Sequence, residues 1–308
     1  MDQLSQVFDL VEVRGLVSGG FAVRGPWVSR GPIEEQLKFM ALVSGRARLT
    51  TDGGDAELEP GDVVILNHRK WLRLEGGTGD GPRREIVPEE NARLLEADLT
   101  ADDIVVGGRI DLNPAGQALL FQALPPVAHV RATAAAANLR ATVYRLFDEV
   151  SANRMGSTFA IRQHGQLLLL EVLRAYVDQT DLPAGWLRLL TDERLEPALS
   201  LMHAEPGKSW HLDELARIAA MSRTSFAERF RRVAGVPPLT YLNQWRMLLA
   251  QRALRDGDAR VGELANDLGY GSESAFSTAF KRAVGESPLR YRYRVRSETA
   301  PGVGRALV

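Results

Sequence analysis

The chain has 308 residues, 45% of them apolar and 25% charged, which suits an ordinary globular protein with room for two cores. Cysteine is absent, which excludes disulfides, thiolate metal sites and cysteine nucleophiles. The formal net charge of -1 hides an asymmetry: residues 186–308 hold 19 Lys+Arg against 14 Asp+Glu, a surplus of 5, and the rest hold 19 against 25, a deficit of 6.

The opening MDQLSQVFDLVEVRG has no basic, apolar, cleavable layout, and no stretch reaches about 18 uninterrupted apolar residues. A cytoplasmic location without membrane attachment is expected. From Asp9 to Leu74 the chain reads as short strands: Leu10 to Gly15, Gly20 to Val23, Leu37 to Val43, Ala47 to Thr51, Ala56 to Leu58 and Val63 to Leu66. Gly-Gly, Arg-Gly-Pro, Ser-Gly, Asp-Gly-Gly-Asp and Pro-Gly-Asp separate them, so a small barrel or sandwich is predicted. The stretch GGTGDGP, Gly76 to Pro82, lacks the Lys-Ser/Thr of a phosphate loop and is expected to be a mobile connection.

The phrase LEPGDVVIL, Leu58 to Leu66, resembles the strand-turn-strand signature of cupin barrels, and Val105 to Val130 is similar to the second half of such a domain. Enzymatic cupins hold a divalent ion with a His-x-His pair, a Glu and a later His, because the ion needs three or four converging ligands. The strands here offer only His68, so no metal, no other cofactor and no catalytic residue is expected. His68, Arg69 and Trp71 follow the Pro-Gly-Asp turn. They are read either as lining a barrel mouth where a small-molecule effector enters or as ordinary strand-edge residues.

From Ala134 to Glu149 and from Thr158 to Asp178 the apolar period becomes helical. Leu139, Val143, Leu146, Phe147 and Val150 form one stripe, and Ile161, Leu167, Leu168, Leu170, Val172, Leu173 and Tyr176 wrap most of the second helix. Such a helix buries more than one face, against either a second subunit or its own domain; a homodimer is the expectation carried forward. His164 is read as an ordinary helix residue. Asp181 to Gly185 reads as a linker.

The stretch from Leu212 to Tyr291 contains one unit written twice. Leu215-Ala216 matches Leu264-Ala265; after one extra residue in the second turn, Phe226, Phe230, Gly235, Pro238 and Tyr241 match Phe276, Phe280, Gly285, Pro288 and Tyr291. Each copy reads as helix, tight turn, helix, with Ser222 and Ser272 capping the second helices. At about 100° per residue, Thr224, Glu228 and Arg231 lie opposite the core in copy one, and Ser274, Thr278 and Lys281 in copy two. Hydroxyl, carboxylate and cation suit base edges in a major groove, while Arg223, Arg229, Arg232 and Arg282 suit phosphates. Ser222, Ala227, Ser272 and Glu273 complete the predicted face. Between the copies, Pro238 to Arg255 reads as one helix of about 27 Å, long enough to set two readers roughly one DNA turn apart.

From Trp186 to Tyr293 the chain resembles the DNA-binding domain of the AraC/XylS transcription regulators, most specifically in DLGYGSESAFSTAFKRAVGESPLRYR. It departs at Ala220, where the family's first turn often has Gly; a left-handed Ala there costs on the order of 1 kcal/mol. Many such regulators carry an N-terminal cupin domain. The expected architecture is therefore α+β: a cupin-like β-barrel over 1–130, a helical dimerisation and linker segment over 131–181, and an all-α DNA-binding domain with two helix-turn-helix units over 186–296. The resemblance implies a sequence-specific activator on operator or promoter DNA, under a small-molecule effector and acting with RNA polymerase, rather than an enzyme. The rivals are a cupin-type enzyme with an appended helical domain and an architectural DNA binder without effector.

Overall fold

The computed structural model describes residues 2–87, 101–133, 136–152 and 154–299. They divide into two units, residues 11–181 and residues 1–10 with 182–308. Among the described residues of the first unit lie two five-stranded sheets. In chain order the strands are β1 (Val13–Val23), β2 (Trp27–Pro32), β3 (Leu37–Ser44), β4 (Ala47–Thr51), β5 (Gly54–Leu58), β6 (Val63–Asn67), β7 (Trp71–Gly76), β8 (Arg84–Glu85), β9 (Asp103–Leu112) and β10 (Val127–Val130). One sheet runs β1-β9-β3-β6-β10 and the other β5-β4-β7-β2-β8.

The two runs expected at Leu10 to Gly15 and Gly20 to Val23 are one strand. Gly19 and Gly20 do not turn the chain; they pair with Gly107 and Val106 of β9. The sheets enclose a core in which Trp27, Met40, Leu42, Leu49, Val64, Leu66, Leu72 and Leu74 pack. In the second sheet burial alternates along β4 and β7, as a half-solvated antiparallel sheet requires. In the first, β6 is buried at every position and β3 nearly so.

Helices explain that difference. Those of this unit are α2 (Pro114–Ala123), α3 (Ala137–Ala152) and α4 (Ser157–Gln179). Helix α3 packs on β3 and helix α4 on β1 and β10. Tyr144 donates its hydroxyl to Val43 O at 3.1 Å, and Gln179 exchanges two hydrogen bonds with the backbone of Arg131. The first residue expected for α3, Ala134, lies outside the described residues. Leu139, Leu146, Leu168 and Val172, on the two apolar helices for which a homodimer was the expectation carried forward, are 0 to 3% exposed within this one chain. The second apolar face of α4 covers its own sheet; what stays exposed is Phe159 and Leu167.

The other unit is all helical, and its chain order begins before the barrel: α1 (Gln3–Phe8), then α5 (Trp186–Leu189), α6 (Glu196–Ala204), α7 (Leu212–Ile218), α8 (Arg223–Ala234), α9 (Pro238–Asp256), α10 (Val261–Asp267), α11 (Glu273–Val284) and α12 (Pro288–Thr299). Residues 1–10, placed with the barrel by the sequence reading, cluster with these helices. Val7 and Leu10 are buried, Gln3 donates to Ser200 Oγ at 3.1 Å, and Gln6 meets His203 at 2.9 Å. Among the described residues no helix is long and apolar enough to cross a membrane.

Candidate nucleic-acid interface

Two helices, α8 and α11, present the predicted face, and each is set by a turn built the same way. Met221 N donates to Ala216 O at 2.9 Å and Ala220 N to Arg217 O at 3.1 Å; in the second unit Tyr270 N donates to Ala265 O at 2.8 Å and Gly269 N to Asn266 O at 2.9 Å. This double closure of a helix C-terminus calls for a left-handed residue. Ala220 takes φ +50 and Gly269 φ +77. The extra residue of the second turn is Gly271, which follows the closure.

Ser222 and Ser272 then cap the next helices, accepting from Ser225 N at 3.2 Å and Ala275 N at 3.1 Å. Phe226, Phe230, Phe276 and Phe280 have no exposed surface. The ring centroids of each Phe pair lie 5.8 Å apart; Tyr241 of α9 meets Phe230 edge-on at 5.7 Å, and Tyr291 of α12 meets Phe280 at 5.5 Å. The same three-ring anchor therefore seats both helices, and aromatic pairs in this geometry resist rotation of the helix about its axis.

Exposure follows one order along both ridges. From Ser222 to Arg232 and from Ser272 to Arg282 the Phe pairs are buried, Ala227 and Arg229 are half-buried like Ser277 and Ala279, and the remaining positions are exposed. Ser222, Arg223, Thr224, Glu228, Arg231 and Arg232 thus share one open surface, as do Ser272, Glu273, Ser274, Thr278, Lys281 and Arg282. Ala227 sits at the foot of its ridge. Arg223 lies 3.5 Å from Asp213, an exposed pair of little energetic weight.

Arg229 corrects the sequence reading. Its guanidinium grips Asp192 with two bonds, Nη2 to Oδ2 at 2.9 Å and Nε to Oδ1 at 3.1 Å, with that carboxylate 8% exposed. A fork held this way joins α8 to the loop before α6 and is not free for phosphate. Asp192 lies 37 residues from Arg229, so no local pattern reveals the pair. Beside it, Arg188, Arg194 and Arg232 line a polar cleft that the sequence reading did not identify.

Deeper in this unit His203 is 6% exposed. Its ring stacks on Trp245 with centroids 3.8 Å apart, Nδ1 lies 2.9 Å from Gln6 Oε1 and Nε2 2.8 Å from Tyr241 Oη. An amide oxygen only accepts, so Nδ1 carries the proton and Nε2 accepts from Tyr241. Burial lowers the His203 pKa to about 4 and raises that of Tyr241.

The barrel holds a cavity of about 460 Å³, within the range of small-molecule sites. Phe21, Met40, Leu72, Leu74 and Val105 supply apolar wall. Glycines at 19, 20, 107 and 108, where β1 and β9 pair, are also among its lining residues. Several of its charged groups have partners: Lys38 lies 3.7 Å from Glu35, Arg30 3.0 Å from Glu85 and Arg109 3.0 Å from Asp111. His68, Arg69 and Trp71 are not among the lining residues. Strand alternation puts Leu72 and Leu74 inside and leaves Trp71 outside, 42% exposed. His68 stands exposed in a φ +53 turn with its ring on Phe121, and Arg69 is held by Asn67 O at 3.0 Å and Asp52 at 3.5 Å. Of the four Gly-Gly pairs in the sequence, those at 19–20 and 107–108 fall on the cavity lining. A second barrel imidazole, His129 on β10, bonds Asp62 at 2.9 Å; Asp62 also accepts from Ala132 N and Glu59 N, and these bonds outweigh its burial and lower its pKa.

A family model described as Cupin matches residues 2–178, and one described as Helix-turn-helix domain matches residues 215–294. Two proteins named putative AraC-like transcription regulator are similar over nearly their whole length. The one from Streptomyces lividans is 34% identical and the one from Streptomyces antibioticus 35%, each alignment covering 95% of this chain and 98% of that protein. The HTH-type transcriptional regulator AlkR of Acinetobacter baylyi is 28% identical, over 95% of this chain and 99% of its own.

Proposed function

This chain belongs to the AraC-like family of transcription regulators and binds double-stranded DNA through its helix-turn-helix domain, and from that premise we propose that α8 and α11 read two successive major grooves. The observation that carries the proposal is the identical order of exposure along the two ridges, each anchored by the same rings. Thr224, Glu228, Ser274 and Thr278 face base edges, with Ser222, Ser272, Glu273 and Ala227 beside them. Arg223, Arg231, Arg232, Lys281 and Arg282 meet phosphates. The barrel cavity takes a small-molecule effector with a mainly apolar body, in place of the site first expected at His68, Arg69 and Trp71. In keeping with its family the protein is read as a cytoplasmic homodimer that activates transcription with RNA polymerase and is no enzyme.

Selection of bound fragments from a genomic DNA library by the full-length protein tests the reading. The expected motif has two conserved blocks about one helical turn apart, roughly 10 base pairs centre to centre. A single short block, or no enrichment over random fragments, would overturn two-groove reading.

A further inference from the structure

We propose that Arg246 is a positioning residue that locks the two helix-turn-helix units at one separation, so that the protein selects operators by the spacing of their two blocks as well as by their bases. The proposal rests on the two-groove reading and deepens it. Arg246 lies midway along α9, 9% exposed. Its Nε donates to Pro206 O at 2.6 Å and its Nη2 to Lys208 O at 3.0 Å, while Nη1 lies 3.5 Å from Asn243 Oδ1. Pro206 and Lys208 belong to the loop that leads into α7, so one guanidinium ties the connecting helix to the first unit.

The same group reaches the second unit. Its carbon lies 5.9 Å from the centre of the Tyr270 ring, and Tyr270 follows Gly269 in the second turn. There the two units meet backbone on backbone. A Cβ at Gly269 would stand 2.2 Å from Gly207 O and 3.1 Å from Arg246 Nη2; a Cβ at Gly207 would stand 2.2 Å from Asp267 O. Neither position has space for a side chain. Turn, loop and helix therefore converge on Arg246, whose planar fork points donors at two carbonyls in different directions, which a single lysine ammonium cannot reproduce.

A connecting helix alone leaves each unit free to rock about its own contact with that helix. The junction removes that freedom. One inserted base pair moves the second block by about 3.4 Å and turns it by about 35°, a displacement a locked pair of readers cannot follow without bending the DNA.

The absence of cysteine makes the test direct. In the full-length, DNA-free protein, Arg231→Cys and Lys281→Cys place spin labels at equivalent exposed positions of α8 and α11, and pulsed electron resonance reads the distance between them. A single narrow distribution is expected with Arg246 in place, broadened at least about twofold by Arg246→Gln. With the unlabelled protein and the selected operator, the native spacing should bind at least about tenfold tighter than a one-base-pair insertion, a preference Arg246→Gln reduces to within about threefold. If Arg246→Gln does not fold, Arg246→Lys, which keeps the charge and loses the fork, decides. An unchanged distribution with unchanged spacing preference in the folded variant would overturn the junction. Failure of the wild type to prefer any spacing would overturn two-groove reading instead, while the width of the distribution still judges Arg246.

Discussion

At Ala220 a side chain occupies a backbone conformation that glycine adopts without strain, φ +50. Removing its Cβ relieves that strain, so Ala220→Gly should raise the stability of the helical unit by up to about 1 kcal/mol despite the added freedom of the unfolded chain. Gly269→Ala should cost more than the same amount with the sign reversed, about 2 kcal/mol or above, because left-handed strain adds to the clash with Gly207 O. Thermal melts of the two variants check both; a lowered melting temperature for Ala220→Gly would show that its backbone is not strained. His203 gives a pH dependence of defined sign. Its folded pKa of about 4 lies below the unfolded value near 6.5, so the folded state binds fewer protons in that window. Stability is full above pH 6.5 and falls as pH drops toward 4, by up to about 3 kcal/mol. His203→Gln should flatten that part of the profile in denaturant titrations at several pH values. An equally steep fall in the variant would assign the effect elsewhere.

At the scale of elements, the division of labour proposed for α8 and α11 is one that single substitutions separate. On that proposal, replacing Arg231 or Lys281 with Ala removes a phosphate contact, so affinity should fall alike for all DNA sequences and the salt slope drop by about 1. Loss of Thr224, Glu228, Ser274 or Thr278 should relax preference at particular base pairs by roughly 1 to 3 kcal/mol, with Glu228 set to accept from a cytosine amino group. Binding measured against a panel of operator variants tells these apart, and uniform loss from all six substitutions would remove the assignment. Arg229 belongs to neither class. It ties α8 to the loop before α6, and its substitution should appear as instability rather than altered preference.

For the whole molecule, the question is which apolar surface a second subunit would cover. Leu168 is 3% exposed within this chain, and Leu167, its neighbour in sequence, is 45% exposed. Leu168→Arg should therefore destabilise the barrel unit and lower its melting temperature, since an unpaired buried charge and lost packing together cost several kcal/mol of a margin of about 5 to 15 kcal/mol. Leu167→Arg should leave folding intact and shift the proposed dimer toward monomer in sedimentation. A wild-type monomer at micromolar concentration would remove the dimer altogether.

The repeat, both helix caps, the exposed ridges of α8 and α11, the connecting helix and the departure at Ala220 were legible in the sequence, because each is written in neighbours a few residues apart: a 3.6-residue period, a cap, a turn. The strands were legible in outline for the same reason. Other features depend on which distant segments meet. Trp71 faces outward while Leu72 lines the cavity, and Gly19 pairs across to Gly107 instead of turning. The apolar girdle of α4 could equally serve a partner or its own sheet until the fold placed it on β1 and β10. Gln6 meets His203 across 197 residues of chain and Arg229 meets Asp192 across 37. Periodicity records which face of an element is apolar; only packing determines what lies against it.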